Sequence, residues 1–483
     1  MSEDRSERRR SSAKRGLLLI VVIALLVGIS TWAVFLPRPN SLPPAFSLAW
    51  ELPTNQSVTA STWGNGSFIV LLGGPLSLGN RSTETNQNLT LEALNATDGH
   101  EVWAAAPRCT RTTTLFLPNT PLLQVRSGTV YLVLFASSLE CDGTMWTGGS
   151  YGALYLLGWN LSTGKNSVSA MWNLTQSPEM FPILGPEWAG NSLVVPQISI
   201  GLQGKTNDSV TMSDFTLPSA NPGVLTPSWT ATSPLPGVDG WVNSWFDYGL
   251  TGPVLATIFD ADILGLNLTS EKVQWLVEQP MLASMGLHSM VTSDASLFSP
   301  EWTAHGWNIL RFDAFNGSLT LNASLPVAGN TLWVTSAFHG FVAVAYAPNC
   351  SGAYFGFDTS AQLLWSAPLT TGSFTNGTYS CSGGIPTPGV NELQDPMPLS
   401  ENRLFLSSIP AAYGTGSYPE AFEVVNASSG TTLWNYDTSV TTQCNSTTCA
   451  PVNGERLYIP VTTNGSYTLF EWNGGVGELQ LKP

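Results

Sequence analysis

The chain has 483 residues, of which only 11% are charged, and its formal net charge is −15 at pH 7. Residues 39–483 hold 11 basic and 30 acidic residues, so this part of the chain has a net charge near −19. Such an acidic surface argues against binding to nucleic acid or to anionic lipid headgroups.

The first predicted element is a transmembrane helix over residues 16–36, GLLLIVVIALLVGISTWAVFL. This stretch has no charge and is long enough for a helix to cross a hydrocarbon layer about 30 Å thick. The basic tail before it, residues 1–15, predicts that the N-terminus lies inside the cell and the rest of the chain outside. A cleaved signal peptide is the alternative, but its apolar core would be shorter and would end in a small-residue cleavage motif. We therefore interpret residues 16–36 as an uncleaved signal-anchor at the cell membrane.

Two short segments follow the predicted helix. Residues 37–45, PRPNSLPPA, predict an extended, Pro-rich stalk. Residues 46–53, FSLAWELP, predict one strand that has no partner strand nearby in the sequence. Everything from residue 46 to residue 483 is interpreted as one extracellular domain.

The stretch 91–107, LEALNATDGHEVWAAAP, predicts a strand, a tight turn and a returning strand. Asn95 and Gly99 supply the turn chemistry, because Asn bonds its own backbone and Gly adopts positive φ without steric cost. Trp103 on the returning strand is large enough to fill a gap between two sheets. From the positive φ alone, Gly99→Val is expected to cost about 1–2 kcal/mol.

Copies of this unit recur along the chain. Each opens with Asn or Asp, has Gly four residues later and a large apolar residue eight residues later. The clear copies are Asn95/Gly99/Trp103, Asp313/Gly317/Leu321, Asn426/Gly430/Trp434 and Asn473/Gly477/Leu481. The looser copies are Asn160/Gly164 with a late Trp172, Asn267/Trp275 with Glu271 in the glycine position, Asp358/Trp365 with one residue fewer, and Asp214/Trp229 with a longer turn. Their openers are 45–68 residues apart, and a repeat of that order with about four strands per unit indicates a β-propeller.

The pattern L-x-A-L-[ND]-A-x-x-G-x-x-x-W resembles the repeat of PQQ-like (quinoprotein alcohol dehydrogenase-like) β-propellers. Strand runs such as SGTVYLVLF at 127–135 and ENRLFLSSI at 401–409 also resemble that family. The resemblance implies an all-β fold of eight blades, or alternatively seven, each with four antiparallel strands. It also implies that the repeat tryptophans dock between blades and that the lone strand at 46–53 completes the last blade.

The resemblance suggests one enzymatic alternative, a PQQ-dependent dehydrogenase facing outside, with PQQ and Ca²⁺ as cofactors. The family's alcohol dehydrogenases cover the quinone with two adjacent cysteines, whereas no two cysteines are adjacent in this chain. No residue matches the family's catalytic positions, so we predict no catalytic, cofactor-binding or metal residues and no cofactor. The leading hypothesis is a non-catalytic binding or scaffold module with protein or glycan partners. An envelope protein-assembly factor is a third hypothesis.

The six cysteines all follow the predicted helix, and 15 connectivities are possible. Pairing between neighbours is the simplest, because each closed loop then stays within one blade or between adjacent blades. The predicted pairs are Cys109–Cys141, Cys350–Cys381 and Cys444–Cys449. No C-x-x-C or Cys/His spacing indicates a zinc site.

Sixteen N-x-S/T sequons follow the predicted helix and none precedes it, which favours a glycosylated extracellular surface. Four of these asparagines also open repeat turns: Asn95, Asn160, Asn267 and Asn426. We expect partial glycan occupancy at these four, because a glycan on the amide would compete with the turn hydrogen bond.

An aromatic, Pro-rich connection is the remaining candidate site. Trp241, Trp245, Phe246 and Tyr248 cluster there. Packing of these rings against neighbouring blades is the simpler interpretation. A platform on one propeller face, able to stack on a sugar or hold a partner loop, is the functional alternative.

Overall fold

The computed structural model describes residues 46–481 with interruptions, and the predicted tail, anchor and stalk in residues 1–45 lie outside the described residues. Within the described residues, no helix is both long and apolar enough to cross a membrane. The undescribed positions inside the range are 55, 74–76, 79–83, 106–108, 115–120, 142, 175–185, 190, 200–208, 235–247, 252–253, 260–261, 279–290, 294, 304, 327–330, 338–339, 347–351, 369–390, 394–396, 401–402, 411–415, 445–448, 452–458, 464–466 and 473–474.

The described residues form an all-β fold of eight sheets. Sheet 1 contains β2 (Ser57–Gly64), β3 (Ser67–Gly73), β4 (Ser77–Leu78), β5 (Glu84–Asn95), β6 (Glu101–Ala104), β7 (Cys109–Thr114), β10 (Ser138–Cys141) and β11 (Thr144–Thr147). Sheet 2 contains β8 (Leu122–Arg126), β9 (Thr129–Ala136), β12 (Ala153–Asn160), β13 (Asn166–Asn173) and β17 (Gly223–Val224). Sheet 3 contains β14 (Glu187–Ala189), β15 (Ser192–Ser199), β16 (Ser209–Thr216) and β18 (Trp229–Pro234). Sheet 4 contains β19 (Tyr248–Thr251), β20 (Val254–Phe259), β21 (Asp262–Asn267) and β22 (Lys272–Glu278).

The second half of the chain continues in the same way. Sheet 5 contains β23 (Val291–Ser293), β24 (Ser296–Thr303), β25 (Gly306–Asp313) and β26 (Leu319–Ser324). Sheet 6 contains β27 (Thr331–Ala337), β28 (Gly340–Tyr346), β29 (Gly352–Asp358) and β30 (Leu363–Pro368). Sheet 7 contains β31 (Asn391–Leu393), β32 (Met397–Ser400), β33 (Arg403–Pro410), β34 (Gly416–Asn426), β35 (Thr432–Cys444) and β36 (Cys449–Pro451). Sheet 8 contains β37 (Ile459–Thr463), β38 (Tyr467–Trp472) and β39 (Gly475–Leu481), together with β1 (Phe46–Pro53).

The two ends of the described chain meet in sheet 8. Strand β1 pairs antiparallel with β39, with Phe46 opposite Leu481 and Pro53 opposite Gly475. The first strand therefore completes the last sheet, as predicted for residues 46–53. Such a closure joins the sheets into a circle through backbone hydrogen bonds, which removes two strand edges.

Consecutive sheets pack face to face. Successive side chains of a strand point to opposite faces, so one strand can contribute to two different cores. In β3, Ile69 and Leu71 pack against sheet 2, whereas Phe68 and Val70 pack against sheet 8. The other described cores lie in the same manner between sheets 2 and 3, 3 and 4, 4 and 5, 5 and 6, and 6 and 7.

This arrangement explains why second strands such as β3 and β9 are continuous apolar runs. In β9, TVYLVLFA, all but the first residue are buried, because neighbouring sheets cover both faces. First strands of neighbouring sheets also touch: β2 contacts β8 on one side and β37 on the other, and β23 contacts β19 and β27. Both-face burial, contacts between first strands and closure through β1 are consistent with the predicted β-propeller.

Candidate functional site

Four tryptophans join consecutive sheets at the predicted repeat turns. Each lies on the outer strand of one sheet and donates its indole N–H to a carbonyl in the turn of the following sheet. The bonds run from Trp50 Nε1 to Ala96 O (3.0 Å), Trp103 Nε1 to Leu161 O (2.7 Å), Trp275 Nε1 to Ala314 O (3.1 Å) and Trp365 Nε1 to Ala427 O (2.8 Å). The accepting residue always follows the turn opener. Trp50, which the repeat pattern did not identify, makes this contact across the closure of the ring.

The turn glycines make room for these indoles. Gly99, Gly164, Gly317 and Gly430 have φ values of 69°, 63°, 70° and 64°, in the left-handed region. A Cβ atom at Gly99 would overlap the Trp50 ring, and one at Gly164 would lie 2.7 Å from the Trp103 ring. Glycine is therefore required twice, for the backbone angle and for the close approach of the indole.

The openers hold the turns through their side-chain oxygens. Asn160 Oδ1 accepts backbone N–H bonds from Ser162 and Thr163, both at 3.0 Å. An N-linked glycan is attached to Nδ2, so it does not compete with hydrogen bonds that Oδ1 accepts. The expected competition between a glycan and the turn hydrogen bond is therefore wrong at Asn160. Asn267 differs, since its Nδ2 donates to Gln274 Oε1 at 2.9 Å.

Sheet 2 has Val168 at the position where sheets 1, 4 and 6 have Trp. Val168 is eight residues after Asn160, lies opposite Gly158 and is fully buried. The late Trp172 packs instead on Phe215 of sheet 3, with ring centroids 4.9 Å apart. The strand register, and not the residue type, therefore determines which residue makes this contact.

In sheet 3 the predicted opener is wrong by two residues. Asp214 lies inside β16, which ends at Thr216. Trp229 is opposite Asp214, as Trp275 is opposite Gly265 two residues before its own opener. Thr216 therefore opens the turn. Asp214 is almost completely buried, and burial raises the pKa of its carboxyl group.

Two turns have other residues in the left-handed position. Glu271 has φ 57° and Ala361 has φ 60°. The shorter turn after Asp358 is closed by a bond from Ala361 N to Asp358 O at 3.0 Å. Both units therefore keep the left-handed conformation without glycine, at a cost of roughly 1–2 kcal/mol per residue.

The last predicted turn differs from the structure. Gly477 lies inside β39, opposite Phe470 and Glu51, so it is not a turn residue. The hairpin instead connects Trp472 to Gly475, and Asn473 lies outside the described residues. Trp434 lies opposite Val424, the register expected of a docking tryptophan.

A disulfide joins two strands of an additional β-layer that extends sheet 1. Strand β7 comes from the connection between sheets 1 and 2, whereas β10 and β11 are inserted between β9 and β12 of sheet 2. All three join sheet 1 in the order β5-β7-β10-β11. Cys109 and Cys141 lie directly opposite each other and form a disulfide, as predicted. We call β4, residues 84–89 of β5, β7, β10 and β11 the β-extension.

The β-extension has one buried and one solvent-facing side. Its outer face contains mainly short polar side chains in two cross-strand rows: Asn86, Thr112, Ser138 and Thr147, and Asn88, Thr110, Glu140 and Met145. Thr112 Oγ1 donates to Asn86 Oδ1 at 2.8 Å and Thr110 Oγ1 to Asn88 Oδ1 at 2.9 Å. Met145 is 61% exposed, and β11 has no further strand on its outer edge in the described part of the chain.

Polar groups on the inner side fix the layer to sheet 2. Arg111 is 2% exposed and donates from Nε to Phe135 O at 2.9 Å. Burial lowers the pKa of Arg111 to about 10, so the guanidinium keeps its charge at neutral pH. The hydroxyl of Tyr155 donates to Trp146 O at 3.0 Å, and burial raises the pKa of Tyr155 to about 12. The Arg111 bond therefore fixes β7 to β9, and the Tyr155 bond positions the edge strand β11.

The comparisons with known proteins identify a fold neighbour but no family. No family model matches the chain, and no curated protein matches it. Among solved structures, the crystal structure of BamB from Moraxella catarrhalis is similar, with 9% sequence identity and a TM-score of 0.37. The match covers 75% of this chain and 94% of that chain. This similarity carries no argument about ligand or partner.

The long turn of sheet 3 is fixed to sheet 2 from the other side. Residues 217–228 contribute β17, which pairs in parallel with β13 at Ala170 and Met171. Tyr131 Oη donates to Pro218 O at 3.1 Å, and Leu225 is buried in the core between the two sheets. The β-extension and this turn therefore connect sheets 1, 2 and 3.

Several predicted site residues cannot be placed in full. Trp241, Trp245 and Phe246 lie outside the described residues, and Tyr248 begins β19 opposite Thr257. Cys350 and Cys381 also lie outside them, while the backbone register puts Cys444 directly opposite Cys449. The described residues contain no group of three or more His, Cys, Asp or Glu that could hold a metal ion.

Proposed function

We propose that this chain is a membrane-anchored, extracellular β-propeller of eight blades that acts as a non-catalytic binding or scaffold module. Its partner is a protein that docks on the β-extension. The anchor is the apolar segment 16–36, and the extracellular surface is glycosylated at its N-x-S/T sequons. An envelope protein-assembly role would be a narrower form of the same binding activity.

The observation that carries this proposal is the β-extension itself. It adds nothing to ring closure, yet it is held by a disulfide, a buried Arg111 and the Tyr155 bond to β11. Its edge strand β11 has no further strand on its outer side among the described residues, and Met145 on that strand is exposed. Partners commonly bind such an edge by adding a strand, with nearby side chains giving specificity.

The hydrogen bonds of four tryptophans favour the binding module over the dehydrogenase alternative. A quinone needs a stacking ring at the propeller axis, whereas Trp50, Trp103, Trp275 and Trp365 each donate to a turn of the neighbouring sheet. Withdrawing one of these indoles would leave a turn carbonyl without its partner, which costs about 1–3 kcal/mol. The anionic quinone would also need compensating charge.

We expect the full chain, offered PQQ with Ca²⁺, to show no change in melting temperature and no dye-linked oxidation of alcohols or sugars. Ca²⁺ alone serves as the control, because it separates general ion effects from cofactor binding. A saturable rise in melting temperature that needs both PQQ and Ca²⁺, accompanied by turnover, would replace the scaffold by the dehydrogenase.

A further inference from the structure

Three buried polar atoms without hydrogen-bond partners belong to residues along the inner part of the contact between sheets 2 and 3. They are Gln124 Oε1, Arg126 Nε and Trp188 Nε1, and none has a partner among the described residues. Trp188 is only 8% exposed. Most buried polar groups in proteins are hydrogen-bonded, so each exception requires an explanation such as a bound water, ion or ligand.

The strand geometry brings these groups to one side of sheet 2. Gln124 and Arg126 are two residues apart on β8, so they share a face, and their Cα atoms are about 6.6 Å apart. Gln124 lies directly opposite Tyr131. The Tyr131 ring contacts the Trp188 ring of sheet 3, with centroids 6.3 Å apart. Gln124 and Arg126 lie on β8 and Trp188 lies on β14, which are the first strands of sheets 2 and 3.

The sheet 3 turn lies over this region, and Arg126 lies at its partly exposed edge. The sheet 3 turn, residues 217–228, reaches over it, because Tyr131 Oη donates to Pro218 O. Arg126 comes immediately before the Ser127–Gly128 turn of β8 and β9 and is only half-buried. Arg126 is therefore partly exposed as a residue, although its Nε atom is buried, whereas Trp188 is shielded as a whole.

We propose that this contact binds a small carboxylate that also carries a hydroxyl or amino group. The two N–H donors, Arg126 Nε and Trp188 Nε1, match the two oxygens of one carboxylate. The remaining acceptor, Gln124 Oε1, requires a donor on the same ligand. A monovalent anion suits the site better than a phosphate, because the chain already has a net charge of −15.

The test uses the full chain labelled with 5-fluorotryptophan and observed by ¹⁹F NMR during titration with lactate. Trp159 is the matched control, because its buried Nε1 also lacks a partner among the described residues but its ring packs in the core between sheets 1 and 2. The Trp188→Phe and Trp159→Phe variants assign the two signals. We expect lactate to shift the Trp188 signal saturably and leave the Trp159 signal in place. Acetate should bind more weakly than lactate, and chloride should have no effect.

Arg126→Gln should raise the lactate concentration at half-saturation at least tenfold, since a charge-assisted bond is lost. Gln124→Leu is a second variant in which the preference for lactate over acetate should disappear while the cation is retained. Three results would overturn the proposal: a Trp188 signal that no carboxylate moves, an equal response to chloride, or an unchanged titration in both variants. The orphaned groups would then bind ordered water only.

Discussion

A Gly99→Ala chain is expected to lose about 2–5 kcal/mol of its free energy of unfolding, from overpacking and from backbone strain together. The methyl group would overlap the indole of Trp50, which closes the ring from the last sheet to the first. Moving the indole also breaks its bond to Ala96 O, and the left-handed φ of 69° adds about 1–2 kcal/mol of strain. The loss is larger than the sequence alone predicted, because the pattern did not show the ring above the glycine. Urea unfolding followed by tryptophan fluorescence measures it.

Gly66→Ala is the matched control for this measurement. Gly66 has a similar φ of 76°, but nothing lies within 4 Å of a Cβ atom placed there. The Gly66→Ala chain should lose only the free energy due to the left-handed backbone angle, about 1–2 kcal/mol. In the converse change, Glu271→Gly should gain roughly 1 kcal/mol, since it relieves a left-handed non-glycine residue. Equal losses at Gly66 and Gly99 would contradict the docking role of Trp50.

The Cys109→Ala/Cys141→Ala chain is expected to lose about 3–4 kcal/mol of stability in the β-extension, the value for a closed loop of about 32 residues. The loss should remain local, because β10 and β11 contribute only to the core between sheets 1 and 2 and to none of the other described cores. Hydrogen exchange measured by mass spectrometry should therefore show faster exchange in β7, β10 and β11 and little change in β15 or β25.

Cys444→Ala/Cys449→Ala provides the comparison, since these residues are opposite each other in sheet 7, far along the chain from the β-extension. That variant should leave exchange in residues 109–147 unchanged. A uniform increase in hydrogen exchange over all sheets of the Cys109→Ala/Cys141→Ala chain would mean that the β-extension unfolds together with the whole domain. That result would contradict its description as an added layer.

The repeat pattern was enough to predict the all-β fold, whereas the closing strand was implied by the resemblance to a propeller family. A turn with Asn at its start, Gly four residues later and a large apolar residue after eight gives a local hydrogen-bond pattern that does not depend on distant residues. The same logic failed where the turn lengthened. In the unit of Trp229 the turn opens at Thr216 and not at the predicted Asp214, because strand register rather than residue type fixes where the turn begins.

The candidate site was less predictable. Pairing of Cys109 with Cys141 followed from their proximity in the sequence, but the layer that they join is built from two separate insertions. No local pattern predicts that β7, with the sequence CTRTTT, pairs with both β5 and β10. The orphaned atoms of Gln124, Arg126 and Trp188 belong to different sheets. Such contacts depend on long-range packing, which residue periodicity does not describe.

Photo-crosslinking from the β-extension on intact cells tests the scaffold function most directly. Full-length chains would carry p-benzoylphenylalanine in place of Met145, which is 61% exposed, or in place of Val224, which is 67% exposed on the sheet 3 turn. We predict one discrete adduct with a protein partner from position 145, none from position 224, and loss of the adduct in the Cys109→Ala/Cys141→Ala background. No adduct from position 145, or the same adducts from both positions, would contradict partner binding by the β-extension.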